Sequence, residues 1–249
     1  MRGHLSATGA MTGMPHWPEA AAALKPFAGR VAIGLHLTLT DQRSLGPMPE
    51  LAPSGRLPKV GWLTRLAFAR RLPRDEIAAE MKRQLDAFET QLGRMPDFID
   101  GHQHVHQLPG IRDLVTEACA GASMWVRDCT DSAVAVAWRG SLEGAMIAMF
   151  GSGLHRLARR KGIGANHGFT GVYPFGRVKL DEALPRLLAG AREGSMLMVH
   201  PGHPDAELAA VDSWVEPREG EWAYLMSDQF TRDLAARGFR VATGAPFPG

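Results

Sequence analysis

The stretch Asp97-Phe98-Ile99-Asp100-Gly101-His102-Gln103-His104-Val105-His106 (DFIDGHQHVH) joins a short apolar run to three histidines at alternate positions. Asp97 to Asp100 reads as a short strand, and Gly101 as the place where it gives way to a turn. Within a strand, His102, His104 and His106 would point to one side, because side chains repeat every two residues. Beyond the turn that geometry no longer holds. Neutral imidazole is the commonest metal ligand and the usual acid or base near neutral pH. Asp100 has two readings beside it: a metal ligand itself, or the carboxylate that holds an imidazole in its ligating tautomer. The bland alternative is a histidine-rich turn held by backbone hydrogen bonds.

Working outward, two more histidine segments sit at the ends of apolar runs. Val31 to Leu39 (VAIGLHLTL) follows the turn signal Phe27-Ala28-Gly29 and carries His36. Met196 to Val199 reads as a buried strand and leads into His200-Pro201-Gly202-His203. Functional groups of parallel α/β folds gather at the carboxyl ends of strands. His36, His102 and His200 are therefore expected at one rim, with the first two close enough to share an ion. Arg127, after the apolar run Met124 to Val126, either orients a carboxylate or forms a surface salt bridge. His4, His16 and His155 read as surface or core residues. Trp17, Trp125, Trp214 and Trp222 have the shape to stack on sugar rings, with core packing the plainer use of each.

Helical and strand patterns alternate around these segments. Residues 74–92 carry Ile77, Met81, Leu85, Phe88 and Leu92 at spacings of three and four, with Pro73 before them and Gly93 after. Further helices are expected from Pro109 toward Ala120, over Leu142 to Arg159, over Leu180 to Arg192 and over Asp228 to Arg237. Strands are expected at Met124 to Val126 and Phe239 to Ala242. Alternation of this kind implies βα units and a mostly parallel sheet. No composition break marks a boundary, so residues 1–249 are expected to form a single domain, with Gly46 to Gly55 as an excursion loop.

Composition excludes several classes. The 249 residues are 45% hydrophobic and 22% charged, with 28 basic against 26 acidic residues and a formal net charge of +2. That balance gives no nucleic-acid footprint. The one basic cluster, Arg156 to Lys161, reads as the polar end of a helix. Two cysteines, Cys119 and Cys129, fit a reducing compartment. No run reaches the roughly 20 apolar residues of a membrane span, and the first residues lack a signal-peptide pattern. A cytoplasmic location is expected.

Three motifs, GLHLTLT at Gly34 to Thr40, FIDGHQHVHQLP at Phe98 to Pro109 and MVHPGH at Met198 to His203, occur in the order and separation of the YdjC-like carbohydrate deacetylases. This family includes chitooligosaccharide deacetylases and a hopanoid-biosynthesis-associated branch. The first residues, RGHLSATGAMTGMPHWPEA, resemble its second strand and the helix after it. The resemblance implies a distorted (β/α) barrel related to polysaccharide deacetylases. It implies a divalent metal ion, zinc or magnesium, with His36 and His102 matching its histidine ligands and an aspartate as the third. Two imidazoles suit zinc better than magnesium. It implies His200 as general acid. From the residues themselves Arg127 is a further catalytic candidate, and Asp100, His104 and His106 are candidates for supporting the metal or the substrate. The implied reaction is hydrolysis of an N-acetyl group on an amino sugar or a glycolipid sugar.

One departure shapes these expectations. The family opens with a strand ending in an Ala-Asp-Asp-Phe-Gly type motif and then a helix. Here the first acidic residue is Glu19 and the first aspartate is Asp41. Two readings stay open: the sequence starts downstream of the family's usual opening, or this form lacks its base. Without the first strand and helix the chain is expected to be weak or inactive as an enzyme, and its exposed edge to make it aggregation-prone or to be covered by a partner, a homodimer being one way. Two other readings stand beside the deacetylase. One is a non-catalytic carbohydrate-binding relative. The other is a metal hydrolase of the amidohydrolase barrel type, which usually carries its His-x-His on the first strand rather than mid-chain.

Overall fold

The computed structural model describes residues 4–130, 142–211 and 215–242. Trp214 lies outside the described residues. The chain separates into two compact units. The first contains residues 7–127 and 150–165. The second contains the described residues of 4–6, 128–149 and 166–242.

The first unit is built on a four-stranded parallel sheet in sequence order: β1 (Ala7–Ala10), β2 (Ala32–Leu37), β3 (Phe98–Gly101) and β4 (Trp125–Val126). Leu35, Leu37 and Ile99 have no exposed surface, as expected of parallel strands covered on both faces. Helix α1 (Trp17–Leu24) packs Trp17 and Ala21 with Ile33 and Phe88. Helix α2 (Val60–Phe68) follows the loop that leaves β2 and buries Leu63 and Ala67. Helix α3 (Arg74–Leu92) buries the expected stripe of Ile77, Met81, Leu85 and Phe88, and Gly93 closes it at φ 73°. That left-handed conformation costs glycine nothing. Helix α4 (Ile111–Ala122) joins the same core through Ile111, Leu114 and Val115.

Helix α3 also buries two polar residues where the apolar stripe alone predicts none. Gln84 acts as a substitute strand: its Oε1 accepts the Thr38 N–H at 3.0 Å and its Nε2 donates to the Thr38 carbonyl at 2.7 Å. Fully buried Glu80 accepts from Gln84 Nε2 and from the Leu45 N–H, each at 2.9 Å, and from Arg83 Nε at 2.9 Å. The backbone groups of β2 just past its last strand residue thus find partners without a neighbouring strand. At the other end of the sheet Asp97 accepts the Ile33 N–H at 2.7 Å while Arg94 grips its carboxylate in two bonds of 2.8 Å.

Helix α5 (Leu142–Lys161) ends in the basic turn Arg159, Arg160 and Lys161. Its C-terminal half contributes Leu154 and Ala158 to the first unit's core. The second unit contains β5 (Gly168–Thr170) paired in parallel with β6 (Ser195–Leu197). Its helices are α6 (Leu180–Leu188), α7 (Ala206–Val211), α8 (Glu216–Met226) and α9 (Asp228–Ala235). Leu180, Leu184, Leu187, Leu225, Phe230 and Leu234 form its apolar cluster.

Two expectations need correction here. The strand at Met196 to Val199 is β6, but its residues are half-buried rather than buried. Phe239 to Ala242 is not a strand. The Phe239 N–H is taken by the Leu234 carbonyl at 3.0 Å, which closes α9, and Phe239 and Val241 pack on the leucine cluster instead.

Candidate functional site

The register of β2 against β3 sets His36 directly beside Asp100. Paired residues of adjacent strands point the same way, so the two side chains meet. His36 Nδ1 lies 2.8 Å from Asp100 Oδ1. With Asp100 ionised, Nδ1–H donates and Nε2 keeps its lone pair, the carboxylate–histidine arrangement that prepares an imidazole for a metal. Of the two readings open for Asp100, the geometry places it as the group that orients His36. Gly9 of β1 makes room for the pair, since a Cβ there would stand 3.2 Å from both Asp100 Oδ1 and His36 Cβ.

The other oxygen of Asp100 receives Arg127 Nη1 at 2.7 Å. Arg127 Nη2 also donates to the Gly101 carbonyl at 3.0 Å. Arg127 is only 4% exposed, so the carboxylate it orients is Asp100 and the surface salt bridge is ruled out. Burial would raise the Asp100 pKa, but the Arg127 guanidinium and then His36 pull it well below the usual carboxylate range. Asp100 therefore stays ionised in the fold, which is what holding the His36 proton requires.

The strand ends at Gly101, and His102–Gln107 is a tight 3-10 turn in which Gln103 and His104 take φ of 49° and 60°. The alternate-position geometry of a strand accordingly does not apply to the three histidines. A Cβ on Gly101 would stand 2.9 Å from the His106 backbone nitrogen, so the turn folds back only over glycine. His106 is fully buried and donates Nε2–H to the Arg127 carbonyl at 2.9 Å. Burial first, then Arg127, brings its pKa down to about 3. His104 is half-buried, with Arg127 Nη2 3.5 Å from its Nδ1. Burial and the same guanidinium lower it well below the ordinary histidine value. Both are neutral struts around Arg127. His102 turns the other way: its ring centroid is 5.8 Å from that of His36, with the planes 70° apart.

That spacing fits a shared ion. Two imidazoles bound at about 2.1 Å with a tetrahedral angle between the bonds hold their centroids about 5–6 Å apart. Among the described residues no group of three or more His, Cys, Asp or Glu is placed to hold a metal. His36 and His102 thus fit two ligand positions. Asp41 is not grouped with them in this arrangement; its carboxylate is engaged by Lys59 Nζ at 2.6 Å and Gln103 Nε2 at 2.9 Å. Burial would raise Asp41, yet these two bonds hold its pKa below the ordinary value. Asp41, itself at φ 65°, clasps the turn at its left-handed residues. Sequence reading missed this role of Gln103, as it missed that of Gly9; the isolated glycine inside Ala7–Ala10 was the available signal.

His200 belongs to the second unit, and its side chain is exposed there. Its ring meets Phe175 edge-on with centroids 5.7 Å apart. Trp222 is 38% exposed and tilts against His203 at 4.3 Å. Trp17 and Trp125 are core residues, 5% and 3% exposed.

Comparison with known proteins places this geometry. The family model for YdjC-like proteins matches residues 1–236. A chitooligosaccharide deacetylase of Klebsiella pneumoniae (strain 342) is 30% identical over 223 residues, covering 90% of this chain and 81% of that protein. A chitooligosaccharide deacetylase of Enterobacter sp. (strain 638) is 40% identical over 109 residues, which is 44% of this chain and under half, 42%, of that protein. The crystal structure of an Enterococcus faecalis V583 protein, provisionally named for cellobiose-phosphate cleavage, superposes with a TM-score of 0.72 at 22% identity. It covers 97% of this chain and 87% of the other, and shows the shared α/β fold with parallel sheets. The chain belongs to the family of YdjC-like proteins.

Proposed function

We propose that the protein is a metal-dependent carbohydrate deacetylase that hydrolyses the N-acetyl group of an amino sugar. The observation that supports this most is the His36–His102 pair, with His36 held by the buried Asp100–Arg127 ion pair. The names of the relatives supply the substrate class. His36 and His102 would hold a divalent ion, with zinc favoured by two imidazole donors. Such an ion, when bound, polarises an amide carbonyl and acidifies water.

The chain's own residues do the rest. Asp100 keeps the His36 proton on Nδ1 and so directs Nε2 outward. Arg127 neutralises Asp100 and pins the end of β3. His104 and His106, both uncharged, brace Arg127 without adding positive charge beside the ion. His200 serves as general acid toward the leaving amine, which departs readily only when protonated.

The test is acetate release from an N-acetylated chitooligosaccharide by the purified chain, with zinc or magnesium and after chelation. Zinc-dependent release that disappears in His36→Ala and His102→Ala is the expected result. Release that survives chelation would remove the metal from the reading. Sugar binding without any release would favour a non-catalytic carbohydrate binder, the reading that the two-ligand donor set leaves standing.

A further inference from the structure

His200 is exposed, yet α8 holds its backbone at two points and that of Gly202 at a third. Its N–H donates to Glu221 Oε2. Arg218 Nη1 reaches its carbonyl at 3.4 Å, and the Gly202 N–H donates to the Arg218 carbonyl at 3.2 Å. Glu221 is only 2% exposed, where carboxylates are seldom found. Its other oxygen accepts the Tyr173 hydroxyl at 2.6 Å. Tyr173 stands two residues before Phe175, whose ring meets the His200 imidazole. One buried carboxylate therefore ties together the segment bearing His200 and the segment bearing the ring against it.

We propose that Glu221 and Tyr173 are positioning residues for His200. They fix the backbone from which its imidazole projects and the Phe175 ring that limits its rotation. This rests on the reading of His200 as the proton donor. The physical reason is preorganisation: an exposed imidazole on a loose loop would spend most of its time away from the leaving group, whereas one on an anchored backbone does not. A buried carboxylate accepting a backbone N–H gives a stronger and more directional anchor than a neutral acceptor.

Three variants of the full chain test it: Glu221→Leu, Glu221→Gln and Tyr173→Phe. Leucine has no acceptor. Glutamine retains both contacts, its oxygen accepting the His200 N–H and its amide donating to the Tyr173 oxygen. Exchange of the His200 amide proton is read by NMR, and kcat and KM are measured with zinc and an N-acetylated chitooligosaccharide. In Glu221→Leu the amide should exchange at least tenfold faster and kcat should fall at least tenfold, with KM within twofold. Glu221→Gln should restore kcat to within about threefold. Tyr173→Phe should lie between, and it decides the matter if Glu221→Leu does not fold. Unchanged His200 exchange and unchanged kcat in Tyr173→Phe and in every folded Glu221→Leu sample would overturn the proposal. Equal loss in the leucine and glutamine variants would do the same, since only a general structural role predicts it. If the unaltered chain releases no acetate, the deacetylase reading fails, and the exchange measurement still decides whether Glu221 anchors His200.

Discussion

Replacing Arg127 by leucine removes the cation from the buried ion pair behind His36. The Arg127 and Asp100 side chains are 5% and 7% exposed, with Nη1 and Oδ2 2.7 Å apart. With charge centres about 4 Å apart and an effective dielectric of about 20, their attraction is about 4 kcal/mol. Without Arg127, Asp100 keeps only the His36 bond at 2.8 Å, and the Gly101 carbonyl loses its donor. Removing one partner of a buried pair typically costs about 3–5 kcal/mol, because the other charge stays buried. The expected drop in melting temperature is roughly 6–20 °C, taking about 2–4 °C per kcal/mol for a chain of this size. The assay is a double-mutant cycle of Arg127→Leu, Asp100→Asn and the pair, followed by urea unfolding without added metal. Asparagine keeps an acceptor for His36 Nδ1 but has no charge to strand. The pair of substitutions should therefore cost less than the sum of the singles by about 2–3 kcal/mol. A coupling below about 0.5 kcal/mol would show that the two charges are not electrostatically dependent, and the account of Asp100 as an ion held by Arg127 would fail.

Two further outcomes follow from other parts of the fold. Gln84→Leu should destabilise by about 2–6 kcal/mol in urea unfolding, because the N–H and C=O of buried Thr38 both lose their partner at about 1–3 kcal/mol each; a loss under 1 kcal/mol would mean that another group replaces the amide. Burial raises the Glu221 pKa above its ordinary value near 4.5, with the Tyr173 hydroxyl, the His200 N–H and Arg218 acting against that shift. The folded state thus holds this proton more tightly than the unfolded chain does, and the stability it contributes is full below the unfolded value and fades as pH rises through the folded one. The stability difference between the unaltered chain and Glu221→Gln should accordingly shrink as pH rises from 4.5, and a difference that grows over that range would reverse the assignment.

What the sequence disclosed depended on whether a feature was local. The stripe of α3 repeats within one helix, so Ile77, Met81, Leu85 and Phe88 were legible, as was the cap at Gly93. The same periodicity hid Glu80 and Gln84, since polar residues between apolar ones read as a solvated face. Their burial depends on Thr38 and Leu45, which lie 46 and 35 residues away. Strand β5 has three residues, too few for an alternation to register, and β1, with four, was expected from the resemblance of the first residues rather than from alternation. Phe239 to Ala242 failed in the opposite sense. Strand-forming side chains were present, but the Phe239 N–H was already committed to closing a helix.

The same division runs through the site. The approach of His36 and His102 was legible because both follow short apolar runs, and neighbouring parallel strands bring their carboxyl ends to one side of a sheet. The role of Asp100 was not, because its choice between ligand and orienting group turns on register. In the observed register His36 faces Asp100; a slip of one residue would point the Asp100 carboxylate to the opposite face. No local pattern in Asp97 to His106 carries that information. It is set 64 residues apart, by Leu35 opposite Ile99 and by the space that Gly9 leaves on the next strand. The apolar packing of β1, β2 and β3 therefore determines more than stability. By fixing the register it decides which nitrogen of His36 is left to bind, and so couples the core of the first unit to the chemistry proposed at its rim.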